Sequence, residues 1–159
     1  MDSPRTTSDH FRLTGEISIR ILALPRPSLE ELQERDPWIK AIKQDTSPEE
    51  SLIFTLATVL RTNEVRIGGE LLMRRLASRP RGLLGYQHLR WLLDHEAEYP
   101  EFMALLGKVY IDFPGIIAQD ASGIRHFAYC RMGGRHRLSC WCRYDCGFNE
   151  NGRVAYADN

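Results

Sequence analysis

"TSPEESLIFTLATVLRTN", residues 46–63, is the stretch on which the fold assignment turns. Ser47 stands where a helix cap would, Pro48 where a first helical residue would, and Glu50 completes the S-x-x-E capping pattern. Leu52, Ile53, Leu56, Ala57 and Leu60 then fall on one stripe at helical spacing, and Phe54 and Val59 add apolar surface on the other flank. That reading predicts a strongly apolar helix at the centre of the core.

Working outward, "FRLTGEISIRILAL" (11–24) alternates as a strand does, with Ile17, Ile19 and Ile21 on one face. Ser28 and Glu31 form a capping box for a short helix over 29–35, and Asp36–Pro37 reads as the start of a further turn. The segment 64–78 predicts a helix that is firm over 70–77. Residues 85–107 predict another, which Pro100 kinks or restarts and Gly107 ends. Beyond Gly107 the period becomes alternating. "KVYIDF", "GIIAQ", "IRHFAYC", "RHRLSCWCRY" and "RVAYA" are five short strands separated by turn sequences. The expected architecture is therefore α+β. A helical N-terminal and central part, mainly 28–106, packs with a small C-terminal antiparallel β-sheet, mainly 107–157. Together they form one domain over 11–159, behind a disordered tail at 1–10. Leu52, Leu56, Leu60, Leu89, Leu92 and Leu93 are its expected core.

The chain has 159 residues and a formal net charge of zero, with 43% hydrophobic and 26% charged residues. That is ordinary for a globular protein with a real core. No apolar run reaches the roughly 18 residues of a membrane span, and no secretory signal is visible at the start, so a cytoplasmic protein without a membrane partner is expected. Charge is unevenly spread, at −3 over 1–60, +5 over 61–90, −5 over 91–123 and +3 over 124–159. The cations are 18 arginines and 3 lysines, which suits planar bidentate recognition of phosphate or carboxylate.

All four cysteines lie in "HFAYCRMGGRHRLSCWCRYDCGF" (126–148). In a reducing compartment they read as thiols or metal ligands. Only Cys142 and Cys146 have the spacing of a zinc knuckle. A two-residue Gly133–Gly134 turn would pair Cys130 with Arg137 and place Cys130 opposite Cys140 and Cys142, giving packed free thiols and no cofactor. A three-residue loop would pair Cys130 with His136, and Cys130, Cys140, Cys142 and Cys146 could then converge on zinc.

No nucleotide loop, nucleophile elbow or metalloprotease motif is present. His88 and His95 are about two helical turns apart, too far for one metal ion, and read as surface or boundary residues. No catalytic residue is assigned, and a non-enzymatic protein is expected. On one face of the hairpin strand, Arg135, Arg137, Trp141 and Arg143 have the composition of an interaction hot spot. The competing account packs Trp141 beneath the helices and pairs the arginines with the acidic helix region 94–101. The first functional expectation is a protein-binding regulatory or inhibitor module that engages a larger macromolecular partner through this Arg/Trp-rich hairpin. The alternative is a nucleic-acid binder, using either the basic hairpin or a helix-turn-helix-like 48–77 with Arg66, Arg74, Arg75, Arg79 and Arg81.

Overall fold

The computed structural model describes residues 10–133 and 136–158, with the backbone alone for 136–140. The expected tail falls, apart from His10, outside these residues. In chain order the elements are β1 (Arg12–Leu13), β2 (Ile19–Ile21), α1 (Leu29–Arg35), β3 (Ala41–Asp45), β4 (Leu52–Thr58), β5 (Arg66–Ile67), α2 (Gly69–Ala77), α3 (Tyr86–Asp94) and α4 (Pro100–Leu105). They continue as β6 (Tyr110–Gln119), β7 (Arg125–Gly133), β8 (His136–Arg143), β9 (Phe148–Asn149) and β10 (Gly152–Ala157). Among the described residues no helix is long and apolar enough to cross a membrane.

The expected division into a helical first part and a small C-terminal sheet is wrong. An eight-stranded mixed sheet spans the chain in the order β1-β4-β10-β6-β7-β8, with β2 also on β4 and β3 also on β6. The error starts at residues 52–58, which form a central strand, not a helix. Leu52, Phe54 and Leu56 face one core cluster with Leu89, Leu92, Leu93 and Phe102, while Ala57 and Val59 face a second cluster with Leu72, Leu76 and Phe148. A strand covered on both faces has no polar side, so it reads as a continuous apolar run that periodicity cannot separate from a buried helix. The β-branched Ile53, Thr55, Thr58 and Val59 favour the strand. The apparent capping residue is used otherwise. Ser47 donates from its backbone N–H (3.1 Å) and its hydroxyl (2.6 Å) to Asp45 Oδ1. The only polar side chain wholly within the buried part of β4, Thr55, donates to the carbonyl of Ile17 at 3.0 Å, in the gap between β1 and β2.

The sheet changes partners along β6. Its first half runs parallel to β10 (Gly152↔Tyr110 to Val154↔Asp112) and its second half antiparallel to β3 (Ala41↔Gln119 to Asp45↔Ile116). The two strands expected around a Pro114–Gly115 turn are thus one strand, with a register shift against β7 between Phe113 and Ala118. An irregularity is where a proline is tolerated inside a sheet. The backbone of Leu84 enters the opening. Its N–H donates to Ala155 O (3.1 Å) and its carbonyl accepts from Gly115 N–H (2.7 Å). A Cβ at Gly115 would lie 2.3 Å from Leu83 O, so only glycine permits this approach.

Helices α3 and α4 cover one face of the sheet and α2 the other. The shorter expectations hold here. The Ser28–Glu31 box caps α1, and Pro100 opens α4 at its first turn. All six expected core leucines are buried, although Leu52, Leu56 and Leu60 reach the core from a strand and its continuation. Leu56→Ala should cost about 2–5 kcal/mol in chemical denaturation. A loss near zero would contradict burial of β4 on both faces.

Candidate functional site

Three parts of the chain meet to form an open groove of about 800 Å³. One wall is the strap Leu24–Pro27 with α1, contributing Arg26, Glu31, Leu32, Glu34 and Arg35. The strap is tied down by Leu24 N–H to Glu49 O (3.1 Å), Arg26 N–H to Glu49 Oε2 (2.9 Å) and Arg26 Nε to Ser47 O (2.7 Å). The other wall is α3, contributing Tyr86, Gln87, Arg90, Trp91 and Asp94. Helix α3 has no side-chain cap at Gly85. Instead the ring of His88, three residues on, turns back so that Nδ1 accepts the Gly85 N–H at 3.0 Å. His88 is fully buried, not a boundary residue, and burial lowers its pKa to about 4, so it stays neutral at pH 7.

Trp141 joins the two walls from below. Its ring stacks on Tyr86 (centroids 5.3 Å apart) and meets Trp38 edge-on (6.0 Å), and its Nε1 donates to Asp36 Oδ2 at 3.0 Å. Asp36 ends α1 and Tyr86 begins α3, so one β8 side chain fixes the spacing of both helices. Trp38 also packs on His126 (4.7 Å), which pairs with Asp120 (Nε2–Oδ2 3.1 Å). Trp141 is half-buried under α1 and α3, as the competing account places it, but that account also pairs the hairpin arginines with the acidic region 94–101, which Arg143 does not join. Arg143 is exposed and paired with Asp145 at 3.0 Å. Arg135 and the side chain of Arg137 lie outside the described residues.

Along the groove the charged groups are unequally engaged. Arg90 Nη2 meets Asp94 Oδ1 at 2.9 Å, and Glu31 serves the α1 capping box. Arg26 spends its Nε on Ser47 O and lies 3.4 Å from Asp45. Arg35, Glu34 and the Tyr86 hydroxyl have no hydrogen-bond or ion-pair partner among the described residues. Burial pushes the Tyr86 pKa up, against the pull of Arg90 and Arg35. The hydroxyl is therefore a proton donor at neutral pH.

The arginines of the nucleic-acid alternative separate. Arg75 is buried, its Nη1 donating to Val59 O (2.6 Å) and Glu64 Oε1 (2.6 Å) and its Nη2 to Glu64 Oε2 (2.9 Å). That fork holds Glu64 at a pKa of about 2. Arg79 lies over the ring of Phe11 at 5.5 Å. Arg66, Arg74 and Arg81 are exposed. A helix-turn-helix over 48–77 does not exist, because its first helix is β4.

The hairpin register is neither of the two considered from sequence. Gly133 pairs with His136, so Cys130 stands opposite Ser139 and Phe127 opposite Cys142. Cys130 is buried in the α3-side cluster, whereas Cys142 packs on the α2-side cluster. The register thus keeps Cys130 and Cys142 on opposite faces of the sheet. Cys146 is exposed in a smaller cavity of about 380 Å³ with Arg66, Gly68 and Phe148, and the Cys140 side chain lies outside the described residues.

Asp112 is the other unusual group. It sits on β6 facing the α2 side, register-paired with Tyr129 and Val154, and has no hydrogen-bond partner among the described residues. Burial raises its pKa well above the ordinary aspartate value.

No protein-family profile, curated protein or solved structure matches the chain.

Sequence reasoning missed the groove residues Arg26, Arg35, Tyr86, Arg90 and Trp91. A usable signal was present: Tyr86, Arg90 and Asp94 recur at i, i+4 and i+8, beside the inward leucines of α3. Two outcomes follow from the site. Trp141→Ala should lower stability by about 2–4 kcal/mol, and Trp141→Phe, which keeps the stack and loses the Asp36 bond, by about 1 kcal/mol. An unchanged melting temperature for Trp141→Ala would place Trp141 on an outward face. For Asp112, the unfolded chain ionises near pH 4 while the folded group holds its proton to higher pH, so stability falls as pH rises above about 4. Asp112→Asn should raise the melting temperature at pH 7 and leave it unchanged near pH 3, which a pair of thermal melts measures.

Proposed function

We propose that this protein is a non-enzymatic binding module of the cytoplasm that regulates or inhibits a larger protein partner through the α1/α3 groove. The observation that carries this reading is the groove's construction. Its walls come from distant parts of the chain and are held at a fixed spacing by the Tyr86–Trp141 stack and the Trp141–Asp36 hydrogen bond. Fixed walls reduce the ordering cost of association, and Tyr, Trp and Arg are the residues that dominate interface energetics. The hairpin takes part by supporting the groove through Trp141, with Arg143 on its exposed surface. No cofactor belongs to this reading.

A second reading, nucleic-acid binding, is favoured by the exposure of Arg66, Arg74 and Arg81 around α2. It is the weaker one, because Arg75 and Arg79 are engaged within the fold. Affinity purification of a partner from the native host, with a nuclease arm, distinguishes the two. A protein partner should survive nuclease. It should be lost when Pro25, an exposed lining residue, is replaced by Trp to fill the groove, and retained when Arg74 and Arg81 are both replaced by Ala. Loss with nuclease and with the arginine pair, but not with Pro25→Trp, would replace the protein reading by the nucleic-acid one. In that case affinity should fall linearly on a log–log plot against salt.

A further inference from the structure

Beyond the groove, we propose that the outer edge of β8 is a second docking surface, which accepts an extended acidic segment of a protein partner as a further strand of the sheet. A strand at the margin of a sheet presents a row of unpaired N–H and C=O groups, and proteins interrupt, bend or cover such margins. Here the margin beside β4 is broken into β1 and β2, two and three residues long. Strand β3 carries a register shift between Ile42 and Gln44. None of these devices is present in β8. It keeps unbroken register with β7 over eight pairs, from His126↔Arg143 to Gly133↔His136. It contains no proline and has no further neighbour among the described residues.

The direction of the backbone groups along this edge follows from the interior of the sheet. Tyr110 N–H donates to Asn151 O at 3.0 Å, so Tyr110 faces the β10 side and the next residue, Ile111, faces β7. Ile111 pairs with Cys130, whose N–H and C=O therefore face β6 and not β8. Cys130 in turn pairs with Ser139. The N–H and C=O of Ser139, and by alternation those of Arg137 and Trp141, thus point away from β7 into the open edge.

Charge selects the occupant. Residues 121–144 hold five arginines and no acidic residue, and the flanking Asp120 and Asp145 still leave a net charge of +3. Arg143 meets Asp145 at 3.0 Å. Two copies pairing antiparallel about the middle of β8 would set Arg143 opposite His136 or Arg137 of the other copy. Like charges directly opposite are destabilising. An extended segment with Asp or Glu at alternate positions reverses the sign of those pairs, so the edge discriminates against a second copy and for an acidic strand.

The test is selection of displayed random 12-residue peptides on the immobilised full chain, followed by titration of the best synthetic peptide by fluorescence polarisation. Enriched peptides should combine Asp or Glu with β-branched residues and lack proline. Single backbone N-methylations along that peptide should weaken binding by about tenfold at every second position and little between, because an added strand turns only alternate N–H groups to its neighbour. The double variant Arg137→Glu/Arg143→Glu should weaken binding by about tenfold or more. Ser139→Pro removes an outward donor and no bond to β7, so it should abolish binding and leave the melting temperature near wild type. Pro25→Trp, which fills the groove, should leave peptide binding unchanged. N-methyl effects without a period of two, enrichment of basic peptides, no enrichment, or loss of binding with Pro25→Trp would overturn the proposal. So would a wild-type dimer in sedimentation that Ser139→Pro dissociates, since a second copy would then hold the edge. Should Ser139→Pro fail to fold, the N-methyl scan and the arginine pair decide.

Discussion

The backbone of Leu84, inserted between β10 and β6, is the contact on which the arrangement of this molecule depends. At Gly115 the long strand β6 gives up β10 as a neighbour and takes β3, and the gap so opened would leave backbone groups unpaired in the core. Leu84 fills it by donating to Ala155 and accepting from Gly115, which satisfies groups that would be costly to bury alone. The next residue, Gly85, is the N-cap of α3. The helix that forms one wall of the groove thus starts directly on the centre of the sheet. Its first residue, Tyr86, meets Trp141 on β8, and Trp141 reaches Asp36 at the end of α1. One continuous set of contacts leads from the strand exchange to both walls.

The two faces of the sheet handle polarity differently. On the α2 side polar groups are taken out of water: Arg75 is buried with both Glu64 oxygens and the Val59 carbonyl as partners, and the Asp112 carboxyl, buried with no side-chain hydrogen bond among the described residues, holds its proton to higher pH than an ordinary aspartate. Removing Glu64 would leave the buried Arg75 charge unpaired, whereas Asp112 avoids a buried charge by holding its proton. On the α3 side the buried His88 ring is neutral and accepts the Gly85 N–H, and the charged groups stand at the rim of the core. The α2 side thus carries a buried ion pair, and the α3 side carries the open groove.

What could be read from the sequence was what local chemistry specifies. Ser28 and Glu31 fix the start of α1, Pro100 the start of α4, and simple alternation revealed β7, β8 and β10, because each of these signals lies within a few residues. The core leucines were identifiable because burial follows from apolarity whichever element carries them. Residues 52–58 were misread because α3 and α2 cover both faces of β4, and double burial removes the polar residues that would have shown a period of two. Pro114–Gly115 looked like a turn because a strand that exchanges neighbours needs the same residues a turn does. The groove was not legible at all as a unit. Residues 24–35, 86–94 and 141 are brought together by sheet order, and no local pattern encodes that order.

The position of Trp141 shows what composition alone leaves undecided. An Arg/Trp hairpin has the content of a hot spot, but a tryptophan on the outer strand of a sheet has two ways to bury its ring: against a partner, or against its own helices. The stack on Tyr86 and the bond to Asp36 take the second way. Burying the ring internally holds Tyr86 and Asp36 in place, so the start of α3 and the end of α1 are ordered by the fold itself. Tyr86 keeps one face on Trp141, and its hydroxyl has no hydrogen-bond partner among the described residues.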